Sequence, residues 1–236
     1  MYSAGPILLS LTLLTSWTLT QIYNPVEDER FPVISKTHLH FPQNVVFVIG
    51  STIAAVCFSL SADKVSHTIE KEAKTIETLY GKRPFPLIGS QIFIKTTLFI
   101  MGGLGNFWYP LLAIYSLDTA HTEHWYVAGF FALSAAIEMV FLYLVSDIHN
   151  YFISNEIPLG GSSLLYVHLR PAVSKKSLNW KLGCIVVSAS SILGYLYLRF
   201  YCLRLTRHCD WYAICQYLSV FAIIAYRSSY RWDFLK

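Results

Sequence analysis

The residues best suited to chemistry lie close together, in the segment DTAHTEH at positions 118–124. This segment contains Asp118, His121, Glu123 and His124. A neutral imidazole that is oriented by a carboxylate can accept a proton from a hydroxyl group, so the spacing is compatible with a general base. The alternative is that these residues are polar groups that cap the start of a helix. Neither a GxSxG nor an HExxH motif accompanies them.

Two further histidines, His38 and His40, lie in the polar segment 24–42. The H-L-H pair and the H-x-x-H pair could each offer two imidazoles to a metal ion. Neither spacing is that of a recognised metal site, and carboxylate or thiolate ligands would have to come from elsewhere in the chain. We therefore expect no metal and no other cofactor.

Two ionisable residues, Lys95 and Glu138, fall within apolar runs. A charge at the centre of a membrane helix costs about 2.5 to 3.5 kcal/mol on insertion scales, so it faces the protein interior or reaches for the interface. Lys95 lies near the end of its run and can reach the interface. Glu138 lies deep in its run, where it either has a function or pairs with a neighbouring helix.

The composition of the chain is that of a membrane protein. Of the 236 residues, 54% are hydrophobic and only 14% are charged, whereas soluble domains contain about 25% charged residues. About 20 apolar residues are needed to cross the bilayer as a helix. We predict an all-α polytopic membrane protein without a nucleic-acid partner, a single domain over residues 1–236 with six transmembrane helices at about 5–23, 43–61, 93–117, 125–145, 180–200 and 211–228.

Small residues predict where these helices bend and pack. The third run is long for a straight crossing, and the segment GGLGN at 102–106 and Pro110 are places where it can bend. The segments ALSAA at 132–136 and SASS at 188–191 allow helix backbones to approach closely in lipid.

Basic residues are distributed unevenly between the two sides of the predicted bundle. Twelve lie in the loops 62–92 and 146–179, at Lys181 and in the tail, and five lie on the opposite side. The more basic side is predicted to be cytoplasmic. Arg227, Arg231 and Lys236 would then lie at the cytoplasmic mouth of the sixth span with Trp232 in the lipid interface, so that the tail anchors the last helix.

The five cysteines form no CxxC motif. Cys202 and Cys209 lie in one predicted luminal loop, where they could form a disulfide in an oxidising compartment. The alternative is that both are unpaired thiols, and the sequence leaves the two possibilities open.

The C-terminal residues resemble the end of the FRAG/DRAM/Sfk family of six-span membrane proteins. The likeness rests on the motifs YAICQYL and RWDF, and the segments FPVISKTHLHFPQN and DTAHTEH are similar to the loops before spans two and four of that family. The matching C-terminal residues are Cys202, Tyr212, Tyr217, Trp232, Asp233 and Phe234. The chain departs from the family pattern at Gln216 and at Arg227-Ser228.

The resemblance implies a Golgi or endoplasmic reticulum membrane protein that remodels the lipid of GPI anchors by returning a saturated acyl chain to lyso-GPI. The chain would be the acyltransferase or its essential partner, and its own partners would be membrane lipids, GPI-anchored proteins and a further membrane protein. His121 or His124 would act as the base, oriented by Asp118 or Glu123. The lipid site would include His38, His40 and Glu138.

Two other functions are alternatives to lipid remodelling. One is a non-enzymatic membrane scaffold or auxiliary subunit of a membrane complex, with the histidines exposed to water rather than beside a cavity. The other is a transporter or channel, which would need several intramembrane charges or an inverted repeat.

The charge asymmetry predicts that both termini face the cytoplasm. Epitope tags at either end should become accessible to antibodies after the plasma membrane alone is permeabilised. A C-terminal tag that is reached only after internal membranes are opened would contradict the predicted topology.

Overall fold

The computed structural model describes residues 3–23, 25, 32–80, 96–115, 120–155, 175–205 and 210–234. Within these ranges every regular element is helical. The longer helices are α1 (Ala4–Tyr23), α2 (Gln43–Tyr80), α3 (Trp108–Ile114), α4 (His121–Asn155), α5 (Lys175–Leu205) and α6 (Asp210–Ser228). A short helix α7 (Tyr230–Phe234) follows, and a 3-10 turn (Ile34–Lys36) lies between α1 and α2.

Among the residues that the structure describes, three helices are long and apolar enough to cross a membrane, judged by length and composition. Their apolar parts are Gln43–Lys71, Thr122–Asp147 and Lys175–Phe200. The segment Leu98–Ile114 is apolar but shorter. Helices α1 and α6 occupy the positions predicted for the first and last spans. The all-helical membrane class is therefore confirmed, and the count of six spans stays a prediction.

Helix α2 extends well beyond the membrane. Its 38 residues correspond to about 57 Å of helix, against roughly 30 Å of hydrocarbon. In its polar part, Lys74 Nζ lies 2.9 Å from Glu70 Oε1, one helical turn away. Residues 66–80, in which Glu and Lys residues recur at helical spacing, are therefore part of this helix.

The predicted bend at GGLGN is present as a change of helix type. A π-helical turn (Leu98–Gly103) passes into a 3-10 turn (Leu104–Phe107) before α3 begins. Such transitions leave carbonyl groups without their usual helical partners. Ser59 Oγ donates to the Gly103 carbonyl at 2.9 Å, and Asn106 Nδ2 donates to the Gly102 carbonyl.

The small residues do bring helices close together. A Cβ atom at Gly105 would lie only 2.7 Å from Ser134 Cβ, and one at Gly194 would lie 3.3 Å from Cys215 Sγ. The hydroxyls of Ser188 and Ser219 are 3.2 Å apart and join α5 to α6. These contacts confirm close packing at both predicted small-residue segments.

Glu138 is buried at 1% exposure and is paired with the last long helix. Arg227 donates to Glu138 Oε2 through Nε at 3.2 Å and also through Nη2. Tyr230 Oη donates to Glu138 Oε1 at 3.1 Å. The guanidinium also lies 4.5 Å from the centre of the Phe58 ring. Of the two possibilities left open for Glu138, pairing with another helix is what the structure shows.

A second buried ion pair holds α7 against α5. Lys181 Nζ donates to Asp233 Oδ2 at 2.6 Å, and both side chains are almost completely buried. The rings of Tyr226 and Tyr230 lie 5.9 and 5.8 Å from the same ammonium group. Tyr226 Oη in turn donates to the Met139 carbonyl at 2.7 Å. The two pairs therefore share one polar network.

The side chain of Arg227 is 3% exposed and faces the protein interior, and its position at the cytoplasmic mouth of the last span stays a prediction. Lipid cannot solvate a charge, so a buried carboxylate on α4 draws the guanidinium inward. Asp233 is also buried, whereas Arg231 and Trp232 are exposed. Only part of the tail is therefore available to contact the interface.

Substitution of Arg227 by Leu should destabilise the protein by about 3 to 5 kcal/mol, because it leaves Glu138 buried without its cation. Substitution of both Glu138 and Arg227 by Leu should recover part of this loss, since neither charge then remains. Thermal unfolding of the purified protein in detergent measures both effects.

Lys74→Ala, which removes an exposed ion pair, provides the control and should change stability by less than about 1 kcal/mol. A mild effect of Arg227→Leu, no larger than that of Lys74→Ala, would contradict the buried pairing.

Candidate functional site

The four residues predicted to form a catalytic group are only partly described. Asp118 and the side chain of His121 lie outside the described residues, although His121 begins α4. Glu123 is exposed in the first turn of α4. His124 is buried at 3% exposure. The structure thus tests the surroundings of Glu123 and His124 but not the whole group.

The orientation of His124 is set by a backbone group. Its Nδ1 lies 2.7 Å from the carbonyl oxygen of Tyr115. A carbonyl can only accept, so Nδ1 carries the proton and Nε2 carries the lone pair in the neutral ring. This is the tautomer that a base acting through Nε2 requires. The predicted orientation by Asp118 or Glu123 remains untested.

His38 lies beside His124 and is also buried, at 1% exposure. Its ring stacks on Phe47 with centroids 4.1 Å apart and lies 6.4 Å from the His124 ring. His38 Nε2 donates to the carbonyl of Leu112 at 3.3 Å. Nδ1 has no hydrogen-bond partner in the described ranges. His40, in contrast, is exposed.

The segment that carries His38 is held in place by polar groups of two helices. Gln216 Oε1 on α6 accepts from the Ile34 amide at 2.8 Å. Thr20 Oγ1 on α1 donates to the Thr37 carbonyl at 3.0 Å. Sequence reasoning did not identify these residues, although a polar side chain within each predicted span was a visible signal.

The pKa of His38 is lowered from 6.5 to about 3. Burial is the largest cause and the nearby His124 acts in the same direction, whereas the carbonyl groups of Leu112 and Ile34 act in the opposite direction. His38 is therefore neutral at any physiological pH. A neutral, buried ring that donates to a carbonyl supports the fold of this segment whether or not it meets a ligand.

A groove with a volume of about 270 Å³ opens beside the two histidines, between α4, α5 and α6. The wall from α4 consists of Trp125, Ala128, Gly129, Phe131 and Ala132, and four of these, Trp125, Ala128, Gly129 and Ala132, are spaced to share one helix face. Most of the remaining wall is apolar. The other lining residues include Ile34, Tyr109, Leu112, Ile192, Tyr195, Leu196, Gln216, Ser219, Val220 and Ile223.

The groove adjoins the buried histidines without being lined by them. Leu112, whose carbonyl accepts from His38, lies in its wall, and so does Trp125, which follows His124. The predicted roles of His38, His40 and Glu138 in lipid binding stay predictions. His38 and His124 are nevertheless buried, which is the reverse of what was expected for a scaffold with its histidines in water.

The described part of the chain bears on metal binding and on three of the five cysteines. Among the described residues, no cluster of three His, Cys, Asp or Glu side chains could hold a metal ion. Cys57, Cys184 and Cys215 are free thiols. Cys209 and the side chain of Cys202 lie outside the described residues, so the proposed bridge between them stays a prediction.

The stability that His38 contributes should be fully present above pH 6.5 and should be lost progressively as the pH falls towards 3. Protonation favours the unfolded chain, where the ring has its ordinary pKa. Between pH 7 and pH 5 the loss should be about 2 kcal/mol. Thermal unfolding of the purified protein at the two pH values measures it.

In His38→Gln, which keeps a donor for the Leu112 carbonyl, the difference between pH 7 and pH 5 should be smaller by that amount. His67→Gln, at an exposed position of α2, should behave like the wild type. An unchanged pH dependence in His38→Gln would show that His38 is not buried as the neutral ring.

Comparison with known proteins gives one match. The sequence profile of the Frag1/DRAM/Sfk1/Cwh43P N-terminal domain matches residues 2–236. No curated protein sequence and no solved structure shows significant similarity. The profile covers nearly the whole chain and agrees with the helical, membrane-spanning architecture. The chain belongs to the Frag1/DRAM/Sfk1/Cwh43P family of membrane proteins.

Proposed function

We propose that this protein takes part in the lipid remodelling of GPI anchors, at the step that returns a saturated acyl chain to lyso-GPI. It acts there as the acyltransferase or as its essential partner, in the Golgi or endoplasmic reticulum membrane with both termini cytoplasmic. Within the family, its C-terminal residues Trp232, Asp233 and Phe234 resemble the end of post-GPI-attachment-to-proteins factor 2. This likeness supports the choice of pathway.

The observation that carries the proposal is the apolar groove beside His124. The walls of the groove are mostly apolar, and small residues of α4 leave it open. A groove of this kind suits a hydrocarbon chain better than a polar ligand. One end of the groove lies at Trp125, near the start of the membrane-spanning helix α4. The ester and hydroxyl groups of a lipid would lie at this level of the membrane.

Acyl transfer to a lyso-lipid requires that the attacking hydroxyl lose its proton as its oxygen bonds to the acyl carbonyl carbon. The bond from that carbon to the leaving group breaks, and the leaving group takes up a proton. His124 Nε2 has the lone pair for the first proton transfer and returns that proton in the second. His121, one turn earlier on α4, is the other candidate.

The scaffold alternative has a specific observation in its favour. His38 and His124 each donate to a backbone carbonyl, Leu112 and Tyr115 respectively. Such bonds join the polar segments at one end of the bundle without any chemistry. In a scaffold, the hydrogen bond from His124 Nδ1 to the Tyr115 carbonyl would be needed for the fold, whereas the lone pair on Nε2 would have no role.

The direct test of the proposal is lipid analysis of GPI-anchored proteins from cells that lack this protein. Their anchors should accumulate as lyso forms or should lack the saturated chain. Normal anchors in such cells would remove the proposed function.

A second prediction separates catalysis from support. In cells that contain only His124→Asn, the saturated-chain content of GPI anchors should fall towards that of the null cells, because general base catalysis typically contributes 10²- to 10⁴-fold. The amide of Asn can still donate to the Tyr115 carbonyl but cannot accept the proton. His121→Ala, singly and combined with His124→Asn, tests the second candidate in the same assay.

His67→Ala serves as the matched control, and the amount of each variant in the membrane is measured alongside. Full remodelling by a normally expressed His121→Ala/His124→Asn protein would exclude both residues as the base. It would favour the assisting or scaffold role.

A further inference from the structure

The groove between α4, α5 and α6 ends at a cation that the proposed reaction does not use. We propose that the groove binds one acyl chain of a phospholipid and that Arg199 holds the phosphate group of that lipid. The inference rests on the proposed function for its substrate class, since lyso-GPI is a phospholipid. It adds the residue that recognises the headgroup.

Helices α4, α5 and α6 each contribute one face to the groove, made of residues three or four positions apart. Residues 192, 195 and 196 of α5 and residues 216, 219, 220 and 223 of α6 follow the spacing of neighbours on one helix face. On α4 the wall runs from Trp125 to Ala132, which is about 10 Å along the helix. One leaflet of hydrocarbon is about 15 Å deep. The groove therefore spans most of one leaflet.

Arg199 continues the α5 face by one turn beyond Leu196, at the end of the groove. Its Cζ atom lies 3.7 Å from the centre of the Trp125 ring. Its Nη1 donates to Tyr195 Oη at 2.8 Å. Since both aromatic residues line the groove, the guanidinium is fixed at the end of the groove nearest the start of α4.

The charge of Arg199 is not neutralised by any carboxylate in the part of the chain that the structure describes. Arg227, in contrast, pairs with Glu138. A guanidinium has five N–H donors, and one of these bonds to Tyr195. The remaining donors can form the paired hydrogen bonds that suit a phosphate group.

A buried hydroxyl adds a second polar feature to the same groove. Tyr109 lines it and packs between Phe47 and Phe131, with ring centroids 5.4 and 4.7 Å away. Its hydroxyl has no hydrogen-bond partner among the described residues.

Native mass spectrometry of the purified full-length protein tests the proposal with lysophosphatidylinositol as the probe. Monoacylglycerol and free fatty acid with the same chain are the comparators, because one lacks the phosphate and the other carries a carboxylate instead. Lysophosphatidylinositol should bind as a single copy and at least about tenfold more tightly than monoacylglycerol.

Two variants address the two ends of the lipid, each with a control. Arg199→Gln should abolish the preference for phosphate, whereas Arg231→Gln, at an exposed position of α7, should not. Gly129→Leu should block the groove for every long-chain lipid. Gly183→Leu is its match, because a Cβ atom at either glycine meets nothing within 4 Å, so that neither substitution creates a clash at the backbone.

Several results would overturn the proposal: equal binding of monoacylglycerol, tighter binding of the fatty acid, or multiple weakly bound copies that neither Arg199→Gln nor Gly129→Leu reduces. The last result would indicate lipid of the surrounding bilayer only. Should Arg199→Gln fail to fold, Gly129→Leu still decides whether the groove is occupied.

The binding experiment and the analysis of GPI anchors from null cells can give different answers, so the lipid site and the proposed function are tested separately. Specific phosphate-dependent binding together with normal GPI anchors in null cells would retain the lipid site and remove the remodelling role. Abnormal anchors in null cells, together with no binding of lipid to the groove, would retain the remodelling role and remove the lipid site.

Discussion

The ion pair between Glu138 and Arg227 constrains the packing of the C-terminal part of the bundle. A carboxylate in the middle of an apolar helix has neither water nor headgroups within reach, so a neighbouring helix must supply its counter-charge. Arg227 supplies it from the end of α6, and Tyr230 occupies the second carboxylate oxygen. The chain then turns into α7, where Asp233 meets the otherwise costly ammonium group of Lys181. Each charge is buried only because its partner is buried with it.

This network joins α4 to α6 and α5 to α7 at one end of the bundle, whereas the groove lies towards the other end. Glu138 fastens α4 to α6, and Lys181 fastens α5 to α7. Towards the opposite ends of the same helices, Gly129 and Ala132 present too little side chain to fill the space between α4 and its neighbours. The groove beside His124 is the consequence.

Several features could be predicted from the sequence because they are local. Apolar run length indicated the helices, and the serine-rich segment near 188 indicated close packing. GGLGN indicated an irregular place in the third run, although not the change of helix type found there. The inward position of Arg227 could not be predicted in this way, since its partner lies 89 residues away in sequence. Counting basic residues on each side of the membrane ignores which face of a helix a residue occupies. The groove likewise requires faces of three helices, and the spacing on α4 alone does not identify its neighbours.

The central claim is that the side chains of Arg227, Ser229 and Asp233, near the end of the described chain, are folded into the bundle and do not face the membrane surface. The reactivity of single cysteines with a water-soluble maleimide in isolated membranes tests it directly, with the native thiols as the background. Ser229 is completely buried and close to cysteine in size, whereas Arg231, two residues later, is exposed. Ser229→Cys should remain unlabelled in the native protein, while Arg231→Cys is labelled rapidly. Equal labelling at the two positions would contradict the account.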